Sequence, residues 1–83
     1  MLSAKTIRVS YFALFREQSG RANESCSTEA ATLSELYDEL KLKYGFSMQQ
    51  QNLRVAKNAE FCPWESSLSN GDEVAFIPPV AGG

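Results

Sequence analysis

The stretch TLSELYDELKLKYG, residues 32–45, decides the fold because it contains the clearest helix of the chain. Thr32 followed three residues later by Glu35 is a capping-box pattern, in which side chains accept hydrogen bonds from free amides of the first turn. Apolar side chains recur at helical spacing at Leu33, Leu36, Tyr37, Leu40 and Tyr44. Gly45 is suited to the left-handed residue that follows a helix. The pattern predicts a helix over residues 33–44 that packs one face on a core.

Upstream of this helix, the pattern changes from helical spacing to alternation. The predicted elements are a strand over residues 6–12, a short helical turn or loop over 13–19 that ends at Gly20, and a weak strand over 23–28. In the first strand, Ile7, Val9 and Tyr11 alternate with polar residues and are expected to face the helix. The second strand has little apolar character, since only Cys26 supplies it.

Downstream of the helix, three more short strands are predicted. They cover residues 53–57, 60–62 and 73–77, after a polar loop over 46–52, with turns at Asn58-Ala59 and at Ser69-Asn70-Gly71-Asp72. Two hairpins around one helix predict an α+β protein with a mixed sheet of about five strands and the helix across one face, which is the β-grasp (ubiquitin-like) fold. The same order of elements also permits a ferredoxin-like variant that lacks one helix.

Length and composition limit the function. The 83 residues with a net charge of −2 have room for one domain, expected over residues 1–79, and a short tail over 80–83. Lys and Arg are scattered, so nucleic acid is not an expected partner. No run approaches the about 20 apolar residues of a membrane span, and no signal peptide is recognised, so we expect a cytoplasmic protein without a membrane partner.

The residue types needed for catalysis or metal binding are scarce. The chain has no histidine, and its two cysteines, Cys26 and Cys62, lack a metal-binding spacing. We therefore expect no metal site, and we expect both cysteines to be reduced and buried. Without histidine, no Ser-His or Cys-His arrangement is available, so the sequence predicts no active site within the domain.

The face of the sheet away from the helix is expected to be apolar in part. If Val74 and Phe76 join the core, alternation leaves Phe12 and Ile77 on the opposite face, with Phe61 near them. Large apolar side chains grouped on a solvent-facing surface indicate a site for a partner protein.

The last residues form a tail with its own chemistry. Pro78-Pro79 ends the last strand and favours an extended exit. Val80-Ala81-Gly82-Gly83 follows, and its glycines are narrow enough to enter a slot in another protein. The only reactive group of such a tail is the carboxyl group of Gly83, which an ATP-using enzyme can convert to an acyl adenylate. We therefore expect the folded domain to present this carboxyl group to other enzymes.

These residues resemble a known family, the small subunit of molybdopterin synthase, a ubiquitin-like sulfur carrier. The resemblance is carried by GDEVAFIPPVAGG at residues 71–83 and by VSYFA at residues 9–13 with Arg16-Glu17, and it covers nearly the whole chain. The chain departs from the family at Gln18, where an aliphatic residue is usual, and in the polar strand over residues 23–28.

The resemblance implies a function for the tail and for the apolar face. Gly83 would be adenylated by an E1-like enzyme with ATP and then converted to a thiocarboxylate through a sulfurtransferase system. Its sulfur would pass to cyclic pyranopterin monophosphate in the large subunit of a heterotetramer. No cofactor would be bound permanently, and the chain would be the non-catalytic, sulfur-donating subunit of a transferase. The residues implied to contact partners are Phe12, Phe61, Ile77, Pro78, Pro79, Val80, Ala81 and Gly82.

Other functions remain open from the sequence. A thiamin-type sulfur carrier also ends in Gly-Gly, although such chains are typically shorter and lack the Phe-Ile-Pro-Pro approach at residues 76–79. A ubiquitin-like modifier would be joined to lysines of other proteins. A binding module with an inert tail is the simplest alternative.

Overall fold

The computed structural model describes residues 4–79. The strands are β1 (Lys5–Tyr11), β2 (Asn23–Thr28), β3 (Arg54–Lys57), β4 (Glu60–Cys62) and β5 (Glu73–Ile77). The helices are α1 (Leu14–Ser19) and α2 (Leu33–Tyr44), and a short 3-10 helix spans Gln50–Asn52. All five predicted strands and the predicted main helix are confirmed.

The five strands form one mixed sheet in the order β2-β1-β5-β3-β4. Its two central strands, β1 and β5, are parallel, and the other neighbouring pairs are antiparallel. The antiparallel pairing of β1 with β2 excludes the ferredoxin-like alternative, in which a βαβ unit joins the first two strands. The sheet with α2 across one face is the predicted β-grasp fold.

Helix α2 begins and ends as its sequence predicts. The hydroxyl of Thr32 accepts a hydrogen bond from the amide of Glu35 at 3.2 Å. The carboxylate of Glu35 in turn accepts one from the amide of Ala31 at 2.8 Å, one residue before the usual partner in a capping box. Gly45 follows the helix with a φ of 72°, and its amide donates to the carbonyl of Lys41. These contacts satisfy backbone groups that the helix itself leaves free.

The core lies between α2 and the inner face of the sheet. Alternation places Ile7, Val9 and Tyr11 of β1 there, and all three are fully buried. The other buried members of the core are Phe15, Ala30, Leu33, Leu36, Tyr37, Leu40, Phe46, Leu53, Val55, Leu68, Val74 and Phe76. The inner and outer faces of the two central strands are therefore those predicted from the sequence.

The segment over residues 46–52 differs from the predicted polar loop at its first residue. Phe46 is buried, and its ring centroid lies 5.0 Å from that of Phe15. Gly45 turns the chain back toward the sheet, which brings the next side chain under the helix. The glutamines that follow show no apolar periodicity, so the pattern did not reveal that this segment contributes to the core.

Both cysteines were predicted to be buried, and this is wrong in degree. Cys26 and Cys62 are only partly buried, at the margin of the core. They lie on β2 and β4, the two edge strands of the sheet. Four strand spacings of about 4.8 Å separate those edges, which is far beyond the reach of a disulfide.

Candidate functional site

The face of the sheet turned away from α2 carries the residues predicted to contact partners. In the register of the strands, Ile77 of β5 lies opposite Arg54 of β3, and Ala56 of β3 lies opposite Phe61 of β4. Paired residues of neighbouring strands share a face, and Phe76, which precedes Ile77, points into the core. This row of side chains therefore lies on the outer face.

Phe12 reaches the outer face through a tight turn. The amide of Phe15 donates to the carbonyl of Phe12 at 3.0 Å, which closes a turn over residues 12–15. Ala13, the second residue of this turn, has φ 50° and ψ −120°, the values of a type II′ turn. The turn directs Phe15 into the core, whereas Phe12 is 44% exposed.

Phe61 is placed by the hairpin between β3 and β4. Asn58 and Ala59 both have positive φ, 53° and 71°, as a two-residue type I′ turn requires. The pairing that follows puts Phe61 on the outer face, where it is 56% exposed. Its ring faces Arg54, whose guanidinium carbon lies 4.2 Å from the ring centroid.

Ile77, Pro78 and Pro79 separate two apolar hollows. One hollow of about 390 Å³ lies on the Phe61 side and is also lined by Arg54 and residues 51–53. The other, of about 370 Å³, lies on the Phe12 side. A smaller hollow of about 160 Å³ lies over small side chains of β1, β3 and β5. We call Phe12, Phe61, Ile77, Pro78 and Pro79 together the outer apolar face.

The structure therefore brings the predicted residues into one surface, with Ile77 between the two phenylalanines. Phe12 and Phe61 are strongly exposed, whereas Ile77 is half-buried by its neighbours on both sides. The remaining predicted residues, Val80, Ala81, Gly82 and Gly83, lie outside the described residues. Their roles stay predictions.

Arg54 is a member of this surface that the sequence interpretation missed. The sequence did contain one indication of its position. Arg54 precedes Val55, which is buried, and side chains of adjacent residues in a strand point to opposite faces, so Arg54 lies on the outer face. Its contact with Phe61 depends on the pairing of β3 with β4, which alternation within one strand does not predict.

Reactive side chains are sparse in the part of the chain that the structure describes. Across residues 4–79, no three His, Cys, Asp or Glu residues are grouped so that they could hold a metal ion. Burial, with the nearby carboxylate of Glu24, raises the pKa of the Cys26 thiol, which favours its protonated, weakly nucleophilic form. Between residues 4 and 79, no helix has the length and apolar character needed to cross a membrane.

Comparison with known proteins finds similarity over almost the whole chain. The sequence pattern of the ThiS family matches residues 9–83. The molybdopterin synthase sulfur carrier subunit of Haemophilus influenzae is 35% identical over 80 residues, which cover 93% of this chain and 99% of that protein.

Solved structures show the same fold. A Haloferax volcanii protein determined in solution superimposes with a TM-score of 0.80 at 26% identity, covering 96% of this chain and 88% of that one. A chain from the complex of subunits 1 and 2 of the molybdopterin-converting factor of Helicobacter pylori superimposes with a TM-score of 0.64 at 26% identity, covering 94% of this chain and 99% of that one.

Proposed function

The chain belongs to the ThiS family, and we propose that it is the sulfur-carrier small subunit of a molybdopterin synthase. One structural observation carries the proposal. Ile77, Pro78 and Pro79 belong to the outer apolar face and also lead directly into residues 80–83. A partner that binds this face therefore also holds the start of the tail, and so directs the tail toward its own active site.

The domain acts as a handle for the tail. The reacting atom is supplied by Gly83, while binding energy comes from the outer apolar face, several residues away. This division explains why the face is apolar and the tail small. Apolar area gives affinity without specific chemistry, and glycine lets the chain pass through a narrow channel.

Activation begins with the carboxylate of Gly83, which is a poor electrophile. A carboxylate oxygen attacks the α-phosphorus of ATP on an E1-like enzyme, pyrophosphate leaves, and an acyl adenylate forms. A persulfide of the sulfurtransferase system, reduced by a thiol that leaves as a disulfide, supplies sulfur at the oxidation level of sulfide, and this sulfur then attacks the acyl carbon. The C–S bond forms, the C–O bond to AMP breaks, and a thiocarboxylate results.

Delivery takes place in the large subunit of the synthase. The outer apolar face docks on that subunit, and the tail carries the thiocarboxylate into its active site, where the sulfur passes to cyclic pyranopterin monophosphate. Two small subunits on a central dimer of large subunits would form a heterotetramer.

Deletion of Gly83 tests this proposal. We expect the shortened chain to fold normally, because residue 83 lies beyond the last strand, but to gain no sulfur. The intact chain, incubated with ATP, the E1-like enzyme and a sulfurtransferase, should gain the mass difference between one sulfur and one oxygen atom. Intact-mass spectrometry of both proteins measures this directly.

A second variant has one residue added after Gly83, so that it keeps both glycines but moves the carboxyl group away from Gly83. It should also gain no sulfur. A shortened or extended chain that is thiocarboxylated like the original would refute the proposal. Stable conjugates of much higher mass in cells would instead identify a protein modifier.

A further inference from the structure

Arg54 places a positive charge inside the outer apolar face. It lies opposite Ile77 in the sheet, and its guanidinium carbon lies 4.2 Å from the ring centroid of Phe61. Two of the large apolar side chains of the face thus flank it. It also lines the hollow of about 390 Å³, next to Pro78 and Pro79, which precede the tail. Any protein that covers this face covers Arg54 as well.

The Arg54 side chain makes no hydrogen bond or salt bridge to another residue within 4–79. The guanidinium carbon lies over the Phe61 ring, at the distance of a cation–π contact, and this contact uses none of the hydrogen-bond donors of arginine for an oxygen acceptor. The salt bridges among the described residues involve Arg21 and Lys43, not Arg54. The ring therefore holds the charged group at one place on the face, while its N–H groups stay available to solvent or to a partner.

Nearby carboxylates do not balance this charge. Glu73 is on the outer face of β5 but lies four residues from Ile77, about 13 Å along the strand. Glu60 of β4 is paired in register with Lys57, whose neighbour in β5 is the buried Val74, so this pair belongs to the inner side of the sheet. The positive charge is a property that the outer face presents to a partner.

We propose that the partner on this face sets a carboxylate, from an Asp or Glu side chain, against Arg54. This inference rests on the proposed function, which brings the large subunit to the outer apolar face. Docking removes water from the guanidinium, and a charge that is buried without a counter-charge opposes binding strongly. A carboxylate supplies the opposite charge and two oxygens that match the planar fork of arginine.

The pairing gives Arg54 a role in specificity that the apolar residues lack. Apolar contacts tolerate many partners of suitable shape, whereas a guanidinium held beside Phe61 favours surfaces that carry a negative group at the matching position. Phe61 contributes to both affinity and specificity, since it adds apolar area to the face and holds Arg54 in place. The partner that fits is therefore an apolar surface with an acidic residue beside the point where the tail enters.

Binding of the cognate large subunit by Arg54→Met, Arg54→Lys and Arg8→Met variants tests the inference. Methionine keeps most of the apolar stem without the charge, and lysine keeps the charge without the fork. Arg8 is the matched control, because it is also an arginine on the outer face of the sheet. It lies opposite Glu73 in the register of β1 and β5, away from Ile77. Dissociation constants are measured by titration calorimetry over a range of salt concentrations.

We expect Arg54→Met to raise Kd about 30-fold at low salt. Arg54→Lys should lose affinity in part, and Arg8→Met should change little. The difference between the original protein and Arg54→Met should shrink as salt rises, because added ions screen attraction between charges.

Two results would overturn the inference. One is an Arg54→Met variant that binds as well as Arg8→Met. The other is a loss of affinity that is the same at every salt concentration, since this would mean that Arg54 only supports the Phe61 ring. Either result leaves the proposed function standing if the unaltered chain still binds the large subunit and gains sulfur. If the unaltered chain does neither, the proposed function itself fails.

Discussion

Ala13 occupies a backbone conformation that favours glycine. Its φ of 50° and ψ of −120° suit the first central position of a type II′ turn, where a Cβ atom is crowded. A non-glycine residue in such a region costs about 1–3 kcal/mol. The strained residue separates exposed Phe12 from buried Phe15, so the strain accompanies the outward placement of a candidate contact residue.

Ala13→Gly should therefore stabilise the domain. Removal of the Cβ relieves strain of about 1–3 kcal/mol, while the added freedom of the unfolded chain costs about 0.4–1 kcal/mol, so we expect a net gain of about 1 kcal/mol. Urea denaturation measures the change. Ala22→Gly, at an exposed residue without positive φ, is the control and should destabilise slightly. Equal effects of the two substitutions would contradict the strain assigned to Ala13.

At the scale of single residues, the sequence predicted positions that follow from a local rule. Gly45 and Gly71 have the expected positive φ, and Phe12 and Ile77 lie on the face that alternation indicates. Ala13 was not predicted, because alanine carries no signal for a type II′ turn.

Among the elements, β2 shows why a strand with little apolar character still belongs to the sheet. Glu24 lies opposite Val9 in the register, at a position that faces the core. Its side chain is only 6% exposed and accepts hydrogen bonds from the hydroxyls of Tyr11 and Tyr44. The carboxylate thus links β1, β2 and the end of α2. Because a charged residue stands at a core-facing position, this strand has little hydrophobic alternation, which is why the sequence predicted it only as a weak strand.

Glu24→Gln should lower the free energy of unfolding at neutral pH. It should also make that free energy change less as the pH falls into the acid range. Burial alone would raise the pKa of Glu24, but hydrogen bonds from the two tyrosines and the charges of Lys43 and Arg21 outweigh it and lower the pKa below its ordinary value of 4.5. The stabilisation is therefore present above this value and is lost as pH falls through the lower pKa of the folded state.

The size of this effect is set by hydrogen bonds to a charged group, so we expect a loss of about 1.5–3 kcal/mol at pH 7. Urea denaturation of both proteins at pH 7 and in acid measures it, and the two should approach each other in acid. Asp72, whose pKa is also lowered, is present in both proteins, so its contribution cancels in the difference. A difference that does not change with pH would contradict the assigned role of the carboxylate.

At the scale of the whole molecule, the fold is two layers with unequal outer surfaces. The paired strands and the amphipathic helix were predictable, because each has a repeating local pattern. The parallel pairing of β1 with β5 follows from contacts between distant parts of the chain. That pairing joins the ends of β1 and β5, and the antiparallel pairing of β3 with β5 adds the β3–β4 hairpin, so the outer apolar face is assembled from three separate segments.

Phe12→Asp tests whether this assembled face is the docking surface. A charge there should weaken binding of the large subunit by at least tenfold, about 1.4 kcal/mol, because the carboxylate would lose its water on docking. The unfolding free energy should change by less than about 1 kcal/mol, since Phe12 is already exposed. Calorimetric titration and urea denaturation give the two quantities separately.

Leu42→Asp is the matched control that shows whether the docking surface is on the sheet layer or on the helical layer. Leu42 is 88% exposed on α2, on the other layer of the molecule, so it is even more accessible than Phe12. If exposure of a large apolar side chain were enough to mark a contact, both substitutions would weaken binding. If the sheet face is the docking surface, only Phe12→Asp does so. Loss of binding in Leu42→Asp alone would move the interface to the helical layer, and the link between the docking surface and the root of the tail would be lost with it.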